Sequence, residues 1–269
     1  MRLSISNIAW QADEDATVAN MLAKYDINAI DVAPAKYFSD VAKATSQQIS
    51  EVRLYWLDRG INIVGMQSLL FGTQGLNLFD TPTVRQQMLT HLAHVCRIAN
   101  GLGARFLVFG SPKNRDRGDL TDHQTKDIAS EFFNRLGDIA ADHGSVICLE
   151  PNPTMYGANF LTDTTSTAAF VRDLDHKSVR MQLDIGALTI NGENPLEMLA
   201  DHSDLVAHIH ASEPDLKELG SCETSHAPIA EAVRNFCSDH IVTIEMREHE
   251  VNPMDSVDRA LSFARHWYG

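Results

Sequence analysis

The stretches SVICLE (145–150), VRMQLD (179–184), LVAHIH (205–210) and HIVTIE (240–245) decide how this chain folds. Each is a short apolar run that stops on one metal-competent residue: Glu150, Asp184, His210 and Glu245. A charged group at the end of a buried strand is costly unless it is paired or bound to a cation, so four in succession point to one shared site. The gaps are 34 residues from Glu150 to Asp184, 26 on to His210 and 35 on to Glu245, each about one strand–helix unit. Residues ending successive strands of a parallel barrel can converge on its mouth.

Working outward, strand-like runs alternate with segments of helical period along the whole chain. LSISNIAW is followed by an Ala/Leu-rich stretch from Asp15 to Tyr25, NAIDVA by Ser46–Arg59, and NIVGMQ leads on to Pro82–Leu102. In that last helix Val84, Met88, Leu92, Val95, Ile98, Ala99 and Leu102 recur at steps of three and four until Gly103 stops it. Asp122–Asp142 repeats the pattern, and later helices are expected over Ser166–Leu174, Pro195–Asp201, Ile229–Cys237 and Asp255–Trp267. Strands ending near Trp10, Ala33, Gln67, Gly110, Glu150, Asp184, His210 and Arg247 make eight. Eight units in 269 residues favour an α/β fold closed as a (β/α)8 TIM barrel over an open doubly wound sheet, and one domain spanning 1–269 is the economical division. No low-complexity tract or Pro/Gly linker divides the chain.

The formal charge of −14, from 36 acidic and 22 basic residues, argues against broad contact with nucleic acid or anionic membrane. A small molecule is the better partner class. Cys96, Cys148, Cys222 and Cys237 fit no CxxC spacing and read as free thiols of a reducing compartment. The start, MRLSISNIAW, lacks the apolar core of a signal peptide, and no run approaches the ~20 apolar residues of a membrane span, so a cytoplasmic location is expected. Neither GxGxxG nor GxxxxGK[ST] occurs.

Three carboxylates and one imidazole form a mostly hard donor set, which favours Mn²⁺ or Mg²⁺, with Co²⁺, Fe²⁺ or Zn²⁺ possible. The competing reading is that each residue caps a loop or pairs with a nearby Lys or Arg; four together favour the metal.

SISNIAW, VFGSP, LEPNP, QLDIG, HIHASE and TIEMR, spread over essentially the whole chain, resemble the sugar phosphate isomerase/epimerase superfamily. These are the xylose isomerase-like TIM barrels, which include ketose 3-epimerases and endonuclease IV. The resemblance implies one divalent ion held by Glu150, Asp184, His210 and Glu245, with the second histidine of HIH as ligand. It further implies a carbohydrate substrate, Glu150 and Glu245 as the acid/base pair, and isomerisation or epimerisation through an enediolate. Two departures narrow this. Ketose epimerases carry a histidine shortly after the strand-six aspartate where this chain reads Ile185-Gly186-Ala187, and the extra zinc histidines of endonuclease IV are replaced by Gln67, Gly110-Ser111-Pro112 and Ala187. A metal-dependent dehydratase or lyase on a related sugar or keto acid, and a noncatalytic sugar-binding barrel, are the alternatives.

Further residues are placed to line the barrel mouth. Trp10 either stacks on a sugar face or is a core aromatic. Gln67 bonds a substrate hydroxyl or caps a loop. Lys113, Arg115 and Arg117 form a basic island suited to a substrate phosphate or carboxylate, or a solvated loop satisfied by Asp116 and Asp119. Lys36 has the same two readings. Arg247 shares a strand face with Glu245, and His226 contacts the site or lies on the surface of an irregular loop. Asn152 and Asn159 are candidates for hydroxyl contacts. His208 shares a side of its strand with His210, one layer deeper, as a hydrogen-bonding support. A homo-oligomer is compatible with the helix faces.

Overall fold

The computed structural model describes all 269 residues. Eight parallel strands close on themselves in chain order: β1 (Arg2–Ser6), β2 (Ala29–Val32), β3 (Asn62–Met66), β4 (Phe106–Phe109), β5 (Val146–Leu149), β6 (Val179–Asp184), β7 (Val206–Ser212) and β8 (Ile241–Glu245). Closure is made by β1 against β8, with Ile5 opposite Ile244. Around them lie α1 (Asp15–Lys24), α2 (Ser46–Leu57), α3 (Pro82–Leu102), α4 (Asp122–Asp142), α5 (Thr164–Leu174), α6 (Ile185–Asn191), α7 (Pro195–His202), α8 (His226–Phe236) and α9 (Pro253–Tyr268). This is the expected (β/α)8 barrel. No helix is long and apolar enough to cross a membrane, and the four cysteines are unpaired.

Local chemistry sets the boundaries. Thr81 caps α3 by accepting from the Val84 amide, Pro82 supplies a preset first turn, and Gly103 ends the helix at φ 84°. Thr121 and Gln124 form a reciprocal capping box at the start of α4.

The strands carry two chemically different faces. Ser4 of β1 bonds Asp31 of β2, Asp31 meets His208 of β7, and His208 contacts Thr243 of β8, so these residues share the barrel lumen. With a period of two, Ser6, Gln182, Asp184, His210, Ser212 and Glu245 fall on the same side. Leu3, Ile5, Leu183, Ile209, Val242 and Ile244 alternate with them and pack beneath the helices in the 66-residue apolar cluster. The lumen is therefore lined by many polar groups, with Phe106 set among them and stacked on His208, is enclosed low down, and opens at the C-terminal strand ends.

Several boundaries differ from expectation. β1 ends at Ser6, and a short 3-10 turn over Asn7–Ala9 precedes Trp10, which is not a strand end. β7 runs two residues past His210, and β8 stops at Glu245 rather than Arg247. α6 was not expected: it follows β6 with no loop, because the Asp184 side chain caps it directly. His226 opens α8 instead of lying in a loop.

Candidate metal and active site

The last residue of β6, Asp184, accepts from the Ala187 amide at 2.7 Å through Oδ1 and from Ser212 Oγ at 2.9 Å through Oδ2. Ser212 is held in turn by the Gly186 amide at 2.9 Å. The last residue of β8, Glu245, accepts from Gln67 Nε2 at 2.7 Å through Oε1, and its Oε2 lies 2.9 Å from His210 Nδ1. One ligand atom from each of Asp184, His210 and Glu245 lies within 4.8 Å of the others. Glu150, one residue beyond β5, enters the same cavity, but its carboxyl is turned onto Gly110 and stands apart from that trio. Three of the four expected ligands thus converge, and the fourth faces them.

Crowding governs the electrostatics. Burial, then the neighbouring Glu245 and Asp184 carboxylates, push the Glu150 carboxyl up to about 8. Burial and Glu245 push Asp184 up to about 6. Burial opposes the His210 imidazolium, but Glu245, Asp31 and Asp184 outweigh it and raise the ring to about 9. Carboxylates that repel one another around an imidazole fit a divalent cation, whose charge relieves the repulsion and whose preference for oxygen with some nitrogen matches the donors.

The cavity has a volume of about 480 Å³. Gln67, Lys113, Asn152 and Arg247 line it together with Glu150, Asp184 and Glu245. Gln67 Oε1 and Asn152 Nδ2 are buried without a hydrogen-bond partner, leaving one acceptor and one donor. Four residues expected to face substrate do not reach the cavity. Trp10 is fully buried with its Nε1 donating to Asp15 at 2.7 Å, so it is the core aromatic. Arg115 is 1% exposed and donates from Nη2 to the Glu150 main-chain oxygen at 2.7 Å, so it supports the strand end instead of a substrate anion. Asn159 is tied to the Arg117 amide and the Asp116 carboxylate in the loop after β4. His226 is buried between Glu213 at 2.9 Å and the Tyr268 hydroxyl at 2.7 Å, where it links the loop after β7 to the last turn of α9. Lys36 donates to the Trp10 carbonyl at 2.7 Å. His208 lies below His210 as expected, their rings 5.1 Å apart edge to face.

Residues 19–266 match the profile of the xylose isomerase-like TIM barrel. The chain belongs to that family. Among solved structures, a D-psicose 3-epimerase determined in the presence of D-fructose superposes with a TM-score of 0.82 at 18% identity over 100% of both chains. The 3-keto-D-glucoside 4-epimerase of E. coli gives 0.81 at 17% identity over 99% of each, and an L-ribulose 3-epimerase gives 0.80 at 14% over 99% of this chain and 94% of that one. No curated protein matches this sequence.

Within this xylose isomerase-like barrel, three contributors escaped the sequence reading. Asp31 of β2 is fully buried at 2.6 Å from His208; a single acid in the apolar run AIDV was the signal available for it. Ser212, two residues past His210 on the same strand face, orients Asp184. Gly110 had no signal, because its role is the space it leaves for the Glu150 carboxyl.

Proposed function

We propose that this barrel is a divalent-metal-dependent isomerase or epimerase acting on a sugar or a sugar derivative, with proton transfer between Glu150 and Glu245. The observation that carries the reading is the convergence of Asp184, His210 and Glu245 at the C-terminal strand ends, with Glu150 in the same cavity. Asp184, His210, Glu245 and Glu150 would hold the ion, Mn²⁺ or Mg²⁺ by the donor set. When bound, the cation supplies Lewis acidity at a carbonyl and its neighbouring hydroxyl, which acidifies the C–H between them.

The protein's part is placement and proton handling. Glu245 is fixed at Oε1 by Gln67, which aims it as the group that removes the proton. Glu150, seated on Gly110 across the cavity from Glu245, is the second carboxyl of the pair and returns a proton from its own side. Return to the opposite face of the same carbon epimerises; return to the adjacent carbon isomerises. Asn152 Nδ2 and Gln67 Oε1 supply one donor and one acceptor for substrate hydroxyls. Ala187 stands at the cavity wall where the ketose epimerases place a histidine, so the substrate departs from a free ketohexose in the group that residue would contact.

The test combines elemental analysis with solvent-deuterium exchange. About one divalent ion per chain, lost in Glu150→Ala or Asp184→Ala, together with deuterium uptake next to the carbonyl of a ketose or keto-sugar without loss of water, supports the reading. Deuterium uptake accompanied by elimination moves it to a lyase. A protein that neither carries nor is stabilised by any divalent ion refutes it.

A further inference from the structure

Beneath the cavity floor, one carboxyl joins two histidines. His208 Nε2 is 2.6 Å from Asp31 Oδ2 across the lumen, and both side chains are fully buried. The same Oδ2 lies 3.9 Å from Nε2 of His210, whose opposite nitrogen, Nδ1, faces Glu245 in the cavity. No hydrogen-bond partner reaches His210 Nε2.

Asp31 is held where it stands. A register irregularity between Ile30 and Asp31 sets it opposite Gly65 on β3. A Cβ on Gly65 would stand 2.5 Å from Asp31 Oδ2, so only glycine lets the carboxyl lie there. Ser4 Oγ approaches Oδ1 at 3.5 Å. His208 is itself fixed, its ring stacked on Phe106 at 5.3 Å with an interplanar angle of 17° and Thr243 Oγ1 at 3.3 Å from Nε2. These contacts hold the carboxyl beneath the cavity, between the rings of His208 and His210.

We infer that Asp31 is a positioning residue for His210: it holds the ring with Nε2–H directed at its own carboxyl and thereby presents Nδ1 to the cation. This rests on the reading above that His210 is a ligand. An imidazole coordinates through one nitrogen and keeps its proton on the other. In a lumen where His210 is fully buried, that proton needs a carboxyl to face, and metal-bound histidines are commonly oriented in this way. The arrangement links β2, on the far side of the barrel, to a site built from β5 to β8.

The test is Mn²⁺ titration of the metal-stripped, full-length protein. Asp31→Asn keeps the shape and removes the charge, and its Mn²⁺ dissociation constant should rise by about 10–100-fold. Gln182→Met, which alters a fully buried lumen residue paired in register with His208, should leave that constant within about twofold. Equal affinity of Asp31→Asn and wild type overturns the inference while sparing the metal site, and equal losses in both variants overturn it in favour of general packing. Failure of the wild type to bind Mn²⁺ overturns the metal reading and this inference with it. If Asp31→Asn does not fold, ¹⁵N NMR of histidine-labelled wild type loaded with Zn²⁺ decides: a proton on His210 Nε2 supports the inference, and a proton on Nδ1 overturns it.

Discussion

Replacing Gly110 by alanine tests how Glu150 is seated. A Cβ there would stand 1.8 Å from Glu150 Oε2 and 2.7 Å from its Cδ, where real Cβ contacts keep at least 3.0 Å, so the carboxyl must move by more than 1 Å. Gly110 is not among the residues at positive φ, so alanine adds no backbone strain, and the atoms displaced are the far end of a flexible side chain. The fold should therefore survive with little change in its denaturation midpoint. Catalysis should not: a misplacement of about 1 Å in a reacting group costs on the order of 100-fold, or about 2.7 kcal/mol of barrier. The assay is deuterium exchange at the substrate α-carbon in D₂O with saturating Mn²⁺, run beside Mn²⁺ titration and a urea unfolding curve. Wild-type exchange and Mn²⁺ affinity in a folded Gly110→Ala protein would refute the assignment of Glu150 to the site.

Glu245→Gln should keep part of the Mn²⁺ affinity, because its amide oxygen still donates electrons to a cation, yet lose about 10²–10⁴-fold in exchange rate; full turnover by this variant removes Glu245 from proton transfer. Asp184→Ala should lose metal and exchange together, as read by elemental analysis and the same assay. Native Glu150 and Asp184 retain protons that the unfolded chain releases from ordinary values of 4.5 and 3.8, so their contribution to stability falls as pH rises toward about 8 and about 6 respectively. The His210 contribution is present below its ordinary 6.5 and is lost as pH rises through about 9. Between pH 6 and pH 9 the Glu150 and His210 contributions fall together, so the metal-stripped protein should unfold at lower urea at pH 9 than at pH 6, and Mn²⁺ should narrow the gap; a rise in stability with pH over that range would contradict this electrostatic picture. Trp10→Phe leaves the buried Asp15 without its indole donor and should cost about 1–3 kcal/mol in unfolding free energy with Mn²⁺ affinity unchanged. A selective loss of substrate affinity would instead return Trp10 to the cavity.

The barrel was legible because its signals are local and repeated. Strand runs of period two and helices of period 3.6 alternate eight times, and caps such as Thr81 with Gly103 punctuate them. The metal-competent residues were legible for a related reason: a charged residue ending an apolar run is anomalous within a few residues of sequence. Helix α6 has no start signal of its own, because its cap is Asp184, the same carboxylate that ends β6 as a candidate ligand.

Of the loop residues expected at the barrel mouth, Gln67, Lys113, Asn152 and Arg247 line the cavity, while others turn away from it. Lys113 and Arg115 are two residues apart in one motif, yet Lys113 is exposed at the cavity and Arg115 is buried under Glu150, because the 3-10 turn over Pro112–Arg115 sends their side chains in different directions. Likewise Trp10, just after β1, and His226, at the start of α8, are polar-tipped residues whose buried partners, Asp15 and Glu213, take up those tips.

The sequence by itself determined the alternation of elements, the number of strands and which strands end in candidate ligands, since each follows from periodicity and composition over a few residues. Only the tertiary structure decided that Asp31 meets His208 and His210, that Gln67 holds Glu245, and that Gly110 leaves room for Glu150. Asp31 and His208 are 177 residues apart, and Gln67 and Glu245 are 178 apart. Their contact depends on the closure of β1 against β8 and on the register shift before Asp31, neither of which leaves a mark on any single stretch of chain.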